Sequence, residues 1–315
     1  MEFFQRINYR GKLEQISLLI CKDYNIGKFV SNKLVMAGYE DFNFALETTK
    51  GKYFVKVFAN NRKQKECERY INIMLKVIEK GIFFPKLYKS SQGYLHTLKV
   101  GGSRLRLCVM EYITGESFYF LRQKPEINEI RAITRQAALI NSIKFKPEFI
   151  YDSWAITSFL EEFKKKGKYL AKEDLKNINP LVAESKKIMA RRLPRCFVHG
   201  DMIVTNLMKD KKGKIWIIDF AVANHYPRVQ ELAILASNVL FDEKDKGKTK
   251  RNLEIALEKY QKIIKLTPQE LKALPTYIKL AHAMFVLCAN YEKMVENNSS
   301  EENEYWLAQG RAGLS

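Results

Sequence analysis

The sequence predicts an α+β chain: a small β-rich part with one helix, then a larger, mainly helical part holding a short β insertion. Three observations predict it. Residues 28–112 alternate short apolar runs with turn signals, as antiparallel strands do. One stretch within them, residues 62–80, carries its apolar residues at helical spacing instead. Beyond Gly115 the helical period takes over, interrupted by apolar runs at 196–198 and 214–219.

Taken in order, the strands are expected at residues 28–36, 42–48 and 52–58. The turn-rich Gly38–Tyr39–Glu40–Asp41 separates the first two, and Lys50–Gly51 marks a tight hairpin before the third. In the helix that follows, Cys67, Ile71, Met74, Leu75 and Ile78 share a face, and Gly81 and Pro85 end it. Two more strands, 94–100 and 104–112, are joined by Gly101–Gly102. Helices are then expected at 126–143, 154–169, 180–193, 230–240, 252–265 and 270–292, with Pro147 and Pro194 as breaks. Thr267–Pro268–Gln269–Glu270 reads as a helix start: a Thr cap, Pro at the first position and Glu reaching back to the cap. A last short helix carries Tyr305, Trp306 and Leu307.

Composition narrows the function classes. Of 315 residues, 46% are hydrophobic and 12% aromatic, enough for a core and too much for a disordered chain. The apolar runs fall short of the roughly 18–20 residues that cross a bilayer. Residues 1–13 mix charged and aromatic side chains without the apolar stretch of a signal peptide, so a cytoplasmic protein with no membrane role is expected. Lys and Arg total 54 against 35 Asp and Glu, a net charge of +19 that draws anions. The lysines are scattered, and the densest group, Lys164, Lys165, Lys166 and Lys168, lies beside Glu161, Glu162 and Glu173. A solvated surface accounts for them better than a nucleic-acid partner does. The five cysteines are odd in number and lack CxxC spacing, so free thiols are expected, with neither a zinc site nor disulfides.

The chemistry is concentrated in Phe197–Val198–His199–Gly200–Asp201, Asn206 five residues on, and Ile217–Ile218–Asp219–Phe220. Apolar strands ending in Asp-containing loops project two carboxylates and an amide toward one point. Hard oxygen donors of this kind suit Mg²⁺, which carboxylates share with nucleotide phosphates. A separate carboxylate nearby can orient a hydroxyl and take its proton. Any one of these residues is an ordinary turn residue; the set at these offsets is not. Upstream, Lys56 stands inside the apolar run Tyr53–Phe58, where a lysine is costly unless paired or at an exposed sheet edge.

This segment resembles the catalytic and metal loops of the aminoglycoside phosphotransferase/choline kinase superfamily, whose fold is protein-kinase-like and two-lobed. The resemblance implies a nucleotide-binding lobe over residues 1–112 and a helical lobe over 113–315 that carries the catalytic and metal loops. It implies ATP and Mg²⁺ as cofactors, Asp201 as catalytic base, and Asn206 and Asp219 as metal ligands, with His199 and Gly200 shaping the loop. Met202–Ile203 follow Asp201 where the family more often has Leu-His or Phe-His. Lys56 would contact the nucleotide phosphates and pair with a helix glutamate, Glu68 or the neighbouring Glu66. The Glu111 carbonyl and Ile113 N–H would face the adenine edge. No GxGxxG is present, and Gly38–Asn43 stands in its place, where Asn43 could approach the phosphates.

Within the superfamily, residues 38–56, Gly81–Pro85 and 266–275 are similar to bacterial homoserine kinases of the kinase-like type. The family's D-P-x-x-D-L-A departs here to Tyr226–Pro227–Arg228–Val229–Gln230–Glu231–Leu232–Ala233, which points to a different capping of that helix. Tyr119, Tyr151, Asp152 and Trp154 could line a substrate wall, although +19 argues against a polycation. The expected partner is a small molecule bearing a hydroxyl, most like homoserine. An aminoglycoside- or choline-type kinase and a non-catalytic kinase-like binding protein are the alternatives. Oligomeric state is not legible.

Overall fold

The computed structural model describes residues 2–35 and 41–315. Met36 and the Gly38–Tyr39–Glu40 part of the expected phosphate-facing turn lie outside the described residues. The chain divides into two compact units, Met1–Gly115 and Glu116–Ser315.

The first unit opens with α1 (Glu2–Gln5) and α2 (Leu13–Asp23), then β1 (Phe29–Val35), β2 (Phe42–Thr48) and β3 (Gly51–Val57). After α3 (Gln64–Glu79) come β4 (Leu87–Tyr88), β5 (His96–Val100) and β6 (Ser103–Glu111). The strands form one antiparallel sheet in the order β1-β2-β3-β6-β4, with β5 also paired to β6. Sequence reading left α2 unassigned. Its Ile16, Ile20 and Cys21 nevertheless repeat at helical spacing, and all three are buried with Phe42, Phe44, Leu46, Val55 and Val57 in one core.

Strand alternation then decides where Lys56 goes. Tyr53, Val55 and Val57 enter that core, so Lys56 faces the opposite side of the sheet. β3 lies between β2 and β6, with Lys56 opposite Asn43 and Cys108, so this is no exposed edge.

β7 (Gly115–Ser117) crosses the boundary, and the second unit continues with α4 (Ile127–Asn141), followed by α5 (Phe159–Lys166) between two short 3₁₀ turns and by α6 (Lys172–Met189). Four short strands follow: β8 (Arg195–Val198), β9 (Leu207–Asp210), β10 (Ile215–Ile217) and β11 (Asn224–Pro227). The remainder is α7 (Val229–Ser237), α8 (Lys246–Gln261), α9 (Pro268–Met294) and α10 (Glu301–Leu314). β9 sits between β10 and β7, while β8 pairs with β11.

α6 starts eight residues before Pro180, which lies within the helix rather than at its start. An interior proline forgoes one backbone bond, and the buried Ile178, Leu181, Ser185 and Ile188 hold the helix across it. α9 starts as expected: Thr267 Oγ1 accepts from the Glu270 backbone N–H at 3.2 Å, and the Glu270 carboxylate accepts from the Thr267 N–H at 2.9 Å. This helix has the length and apolarity to cross a membrane, but 67% of its apolar window is buried within the protein, against α7 and α10 among others. It is the core helix of its unit.

Candidate active site

The loop after β8 is shaped by Gly200 and His199. Gly200 has φ +86°, which favours glycine, and a Cβ there would stand a tight 3.3 Å from the Val222 carbonyl oxygen. His199 is fully buried. Its Nδ1 accepts from the Asp201 N–H at 3.1 Å, and its Nε2–H donates to the Ile218 carbonyl at 3.0 Å. This network assigns a neutral imidazole, and burial agrees by pushing its pKa down to about 4. The ring also packs on Phe220, with centroids 4.3 Å apart. One side chain thus ties the loop of Asp201 to the loop of Asp219.

The same two loops meet again at Asn206. The Ile218 N–H donates to the Asn206 carbonyl at 3.0 Å. The Asn206 Nδ2 donates to the Asp201 carbonyl at 2.9 Å and to Asp201 Oδ2 at 2.7 Å. With both amide hydrogens engaged on Asp201, Oδ1 is the Asn206 atom left to accept or to ligate. Asp219 takes the left-handed conformation at φ +59°, a region that Asp tolerates better than most residues. Asp201, Asn206 and Asp219 are therefore brought together as the sequence pattern expects.

The electrostatics of the loop follow from its neighbours. Burial, then the charges of Asp152, Asp219 and Glu302, push the Asp201 carboxyl up to about 7, against the hydrogen bond from Asn206. Asp152 is itself buried and pushed up to about 6, although its Oδ1 accepts from the Trp154 N–H at 2.8 Å. The site is thus rich in negative charge on a chain of net charge +19. Among the described residues no group of three or more His, Cys, Asp or Glu could hold a metal by itself. An amide oxygen and a carboxylate suit a hard divalent cation that completes its shell with phosphate and water. The donor set fits Mg²⁺ on that ground.

Two residues that support the loop come from α7 and its end. The fully buried Glu231 receives the Gly200 N–H at 3.4 Å, and burial pushes its carboxyl up to about 7. Asn238 Oδ1 accepts from the Val204 N–H at 2.9 Å. The departure noted at Glu231 is therefore a support beneath the loop of Asp201. The sequence flagged its position without revealing what it touches.

In the first unit, Lys56 is 6% exposed and lies opposite Asn43 in the strand register. The expected pairing with Glu68 or Glu66 is not what the structure contains. Lys56 Nζ lies 3.1 Å from Asp41 Oδ2. Glu68 accepts instead from Gln64 Nε2 at 2.9 Å on the exposed side of α3, and Glu66 caps that helix by accepting from the Lys63 N–H at 2.7 Å. The reason is helix phase: Cys67, Tyr70 and Met74 turn inward, which turns Glu68 out. At the end of β6, the Glu111 N–H donates to the Lys86 carbonyl at 2.8 Å. The Ile113 N–H, in a residue 9% exposed, finds no acceptor among the described residues.

A family model described as phosphotransferase enzyme family matches residues 33–263. A homoserine kinase of Parvibaculum lavamentivorans is 24% identical over 276 residues, which cover 85% of this chain and 83% of the relative. Among solved structures, an amicoumacin kinase in complex with AMP-PNP and Ca²⁺ superposes with a TM-score of 0.68 at 17% identity, over 96% of this chain and 93% of that one. A spectinomycin phosphotransferase in complex with ADP and spectinomycin gives 0.71 at 12% identity, over 98% and 99%. The fold is kinase-like.

Proposed function

This chain belongs to the phosphotransferase enzyme family, and we propose that it moves the terminal phosphoryl group of ATP, with Mg²⁺, to the hydroxyl of a small amino alcohol, homoserine foremost. That it is a small-molecule kinase follows from the family. The identity of the acceptor is the proposal. The observation that carries it is the charge around Asp201, where Asp152 and Glu302 add to the catalytic and metal-facing carboxylates. That negative charge favours an acceptor bearing an ammonium group beside its hydroxyl. The homoserine kinases among its relatives support the same acceptor.

Asp201 then accepts a hydrogen bond from the acceptor hydroxyl, fixes the oxygen for in-line attack and takes its proton. The Asn206 amide holds the Asp201 carboxylate in place for this. Asn206 Oδ1 and Asp219 would hold Mg²⁺, which when bound neutralises charge on the phosphates. Lys56 supplies a further positive charge toward the nucleotide, and the Ile113 N–H and Glu111 carbonyl offer the pair of groups an adenine edge requires. Asn43 stands across from Lys56 as a polar contact for the phosphates.

An aminoglycoside- or choline-type acceptor is the second reading, since such molecules are cationic alcohols too. A binding protein without transfer is disfavoured by the presence of Lys56, Asp201, Asn206 and Asp219 together. Asp201→Asn tests the role directly. Transfer is expected to fall by at least about 10²-fold, the scale of general-base loss, while MgATP affinity stays within about threefold of wild type. Retained turnover would remove Asp201 from its role.

A further inference from the structure

The pairing around Lys56 carries an inference that rests on the nucleotide-facing role proposed for that lysine. Asp41 is 4% exposed and stands immediately before β2. Its Oδ2 meets Lys56 Nζ at 3.1 Å. Its Oδ1 accepts from the Ala59 N–H at 3.0 Å and from Arg62 Nε at 2.9 Å. One carboxylate thus grips the lysine of β3, the backbone just past that strand and the arginine before α3.

The other side of the lysine is closed by an aromatic ring. Lys56 Nζ lies 5.1 Å from the centroid of Tyr70, which α3 turns inward. Both α3 carboxylates near that level are committed elsewhere, Glu66 to its helix cap and Glu68 to Gln64. Burial alone would raise the Asp41 carboxyl; Lys56, Arg62 and the Ala59 N–H overcome it and hold the group below its ordinary range. Asp41 is therefore an ionised anchor.

We propose that Asp41 is the positioning residue for Lys56, doing from the start of β2 what a helix glutamate was expected to do from α3. An ammonium has three donors, and the hydrogen bond to Asp41 uses one of them. Lys56 and Arg62 together bring two positive charges to the single negative charge of Asp41. Because Asp41 also receives the Ala59 N–H, its position is coupled to the exit of β3, and the amine is held against rotation as well as by charge. The consequence is a division of labour: Asp41 orients the lysine, and the acidic residues of α3 are free of that task.

The test is a cycle of variants read by steady-state kinetics with ATP varied. Asp41→Asn is expected to raise KM for ATP and lower kcat/KM by about 10-fold or more, the cost of a misplaced binding group. In a Lys56→Met background the same change is expected to cost less than about twofold, because it acts through the missing amine. A residue with only a structural role would cost as much in both backgrounds, and that result would overturn the proposal. So would a Glu68→Gln variant that raises KM while Asp41→Asn does not. If Asp41→Asn does not fold alone, Asp41→Glu takes its place, since it keeps the charge and shifts it by one methylene. A KM raised only in the presence of Lys56 supports the proposal, and equal effects overturn it. A wild-type protein that binds no MgATP would instead overturn the kinase reading before any variant is made, so the two failures are distinguishable.

Discussion

His199 shows how a single buried residue can join two loops. It is fully buried, is held neutral, and makes one hydrogen bond to each of the loops that present Asp201 and Asp219. Both bonds require the tautomer with hydrogen on Nε2, so protonation would turn the Nδ1 acceptor into a donor facing the Asp201 N–H. Its depressed pKa prevents this over the neutral range. His199→Ala removes a buried ring and leaves the Asp201 N–H without its acceptor. The loss of stability is expected at about 2–4 kcal/mol, read from urea unfolding, together with a fall in kcat larger than any change in KM for ATP. A variant of unchanged stability would show that the loops hold each other without it.

At the level of elements, α7 reaches the loop of Asp201 through Glu231. The native carboxyl titrates near 7, while an unfolded glutamate titrates near 4.3. Between those values the native state binds the proton that the unfolded state has released, so stability falls as pH rises through this window. The contribution is fully present below about pH 4.3 and gone above about pH 7. Glu231→Gln cannot titrate, so its stability relative to wild type is expected to improve steadily from pH 4.5 to 7 in matched thermal unfolding series. A constant difference would mean that Glu231 is ionised in the native protein. Elements also show where sequence reading stops. Strands β2, β3 and β6 and the capped start of α9 were legible because period and turn residues are local signals. α2 carried the right spacing in Ile16, Ile20 and Cys21 and was passed over, whereas α6 was started late because Pro180 looks like a boundary to local rules. The partner of Lys56 lay further out of reach: helix phase turned the expected Glu68 outward, and Asp41 is near the lysine only across the sheet.

For the molecule as a whole, net charge and site charge point in opposite directions. The +19 surface argued for a neutral or zwitterionic acceptor over a polycation, yet the carboxylates that raise Asp201 make its own surroundings acidic. The overall charge therefore governs encounter with an anion such as ATP, and the local charge governs what binds beside Asp201. The grouping of Asp201, Asn206 and Asp219 was readable, because they fall within a short stretch of chain whose strand ends bring them together. The surrounding carboxylates were only partly so: Asp152 was singled out among several wall candidates, and Glu302 comes from a distant helix that no local pattern connects to the loop. The most direct measurement is Mg²⁺-dependent ADP release from ATP, with homoserine, choline, an aminoglycoside and a sugar alcohol offered in parallel. Release stimulated most by homoserine, absent without Mg²⁺ and lost in Asp201→Asn, is the predicted result. Stimulation by the uncharged sugar alcohol with none by the three ammonium-bearing compounds would contradict an acceptor held through its ammonium group.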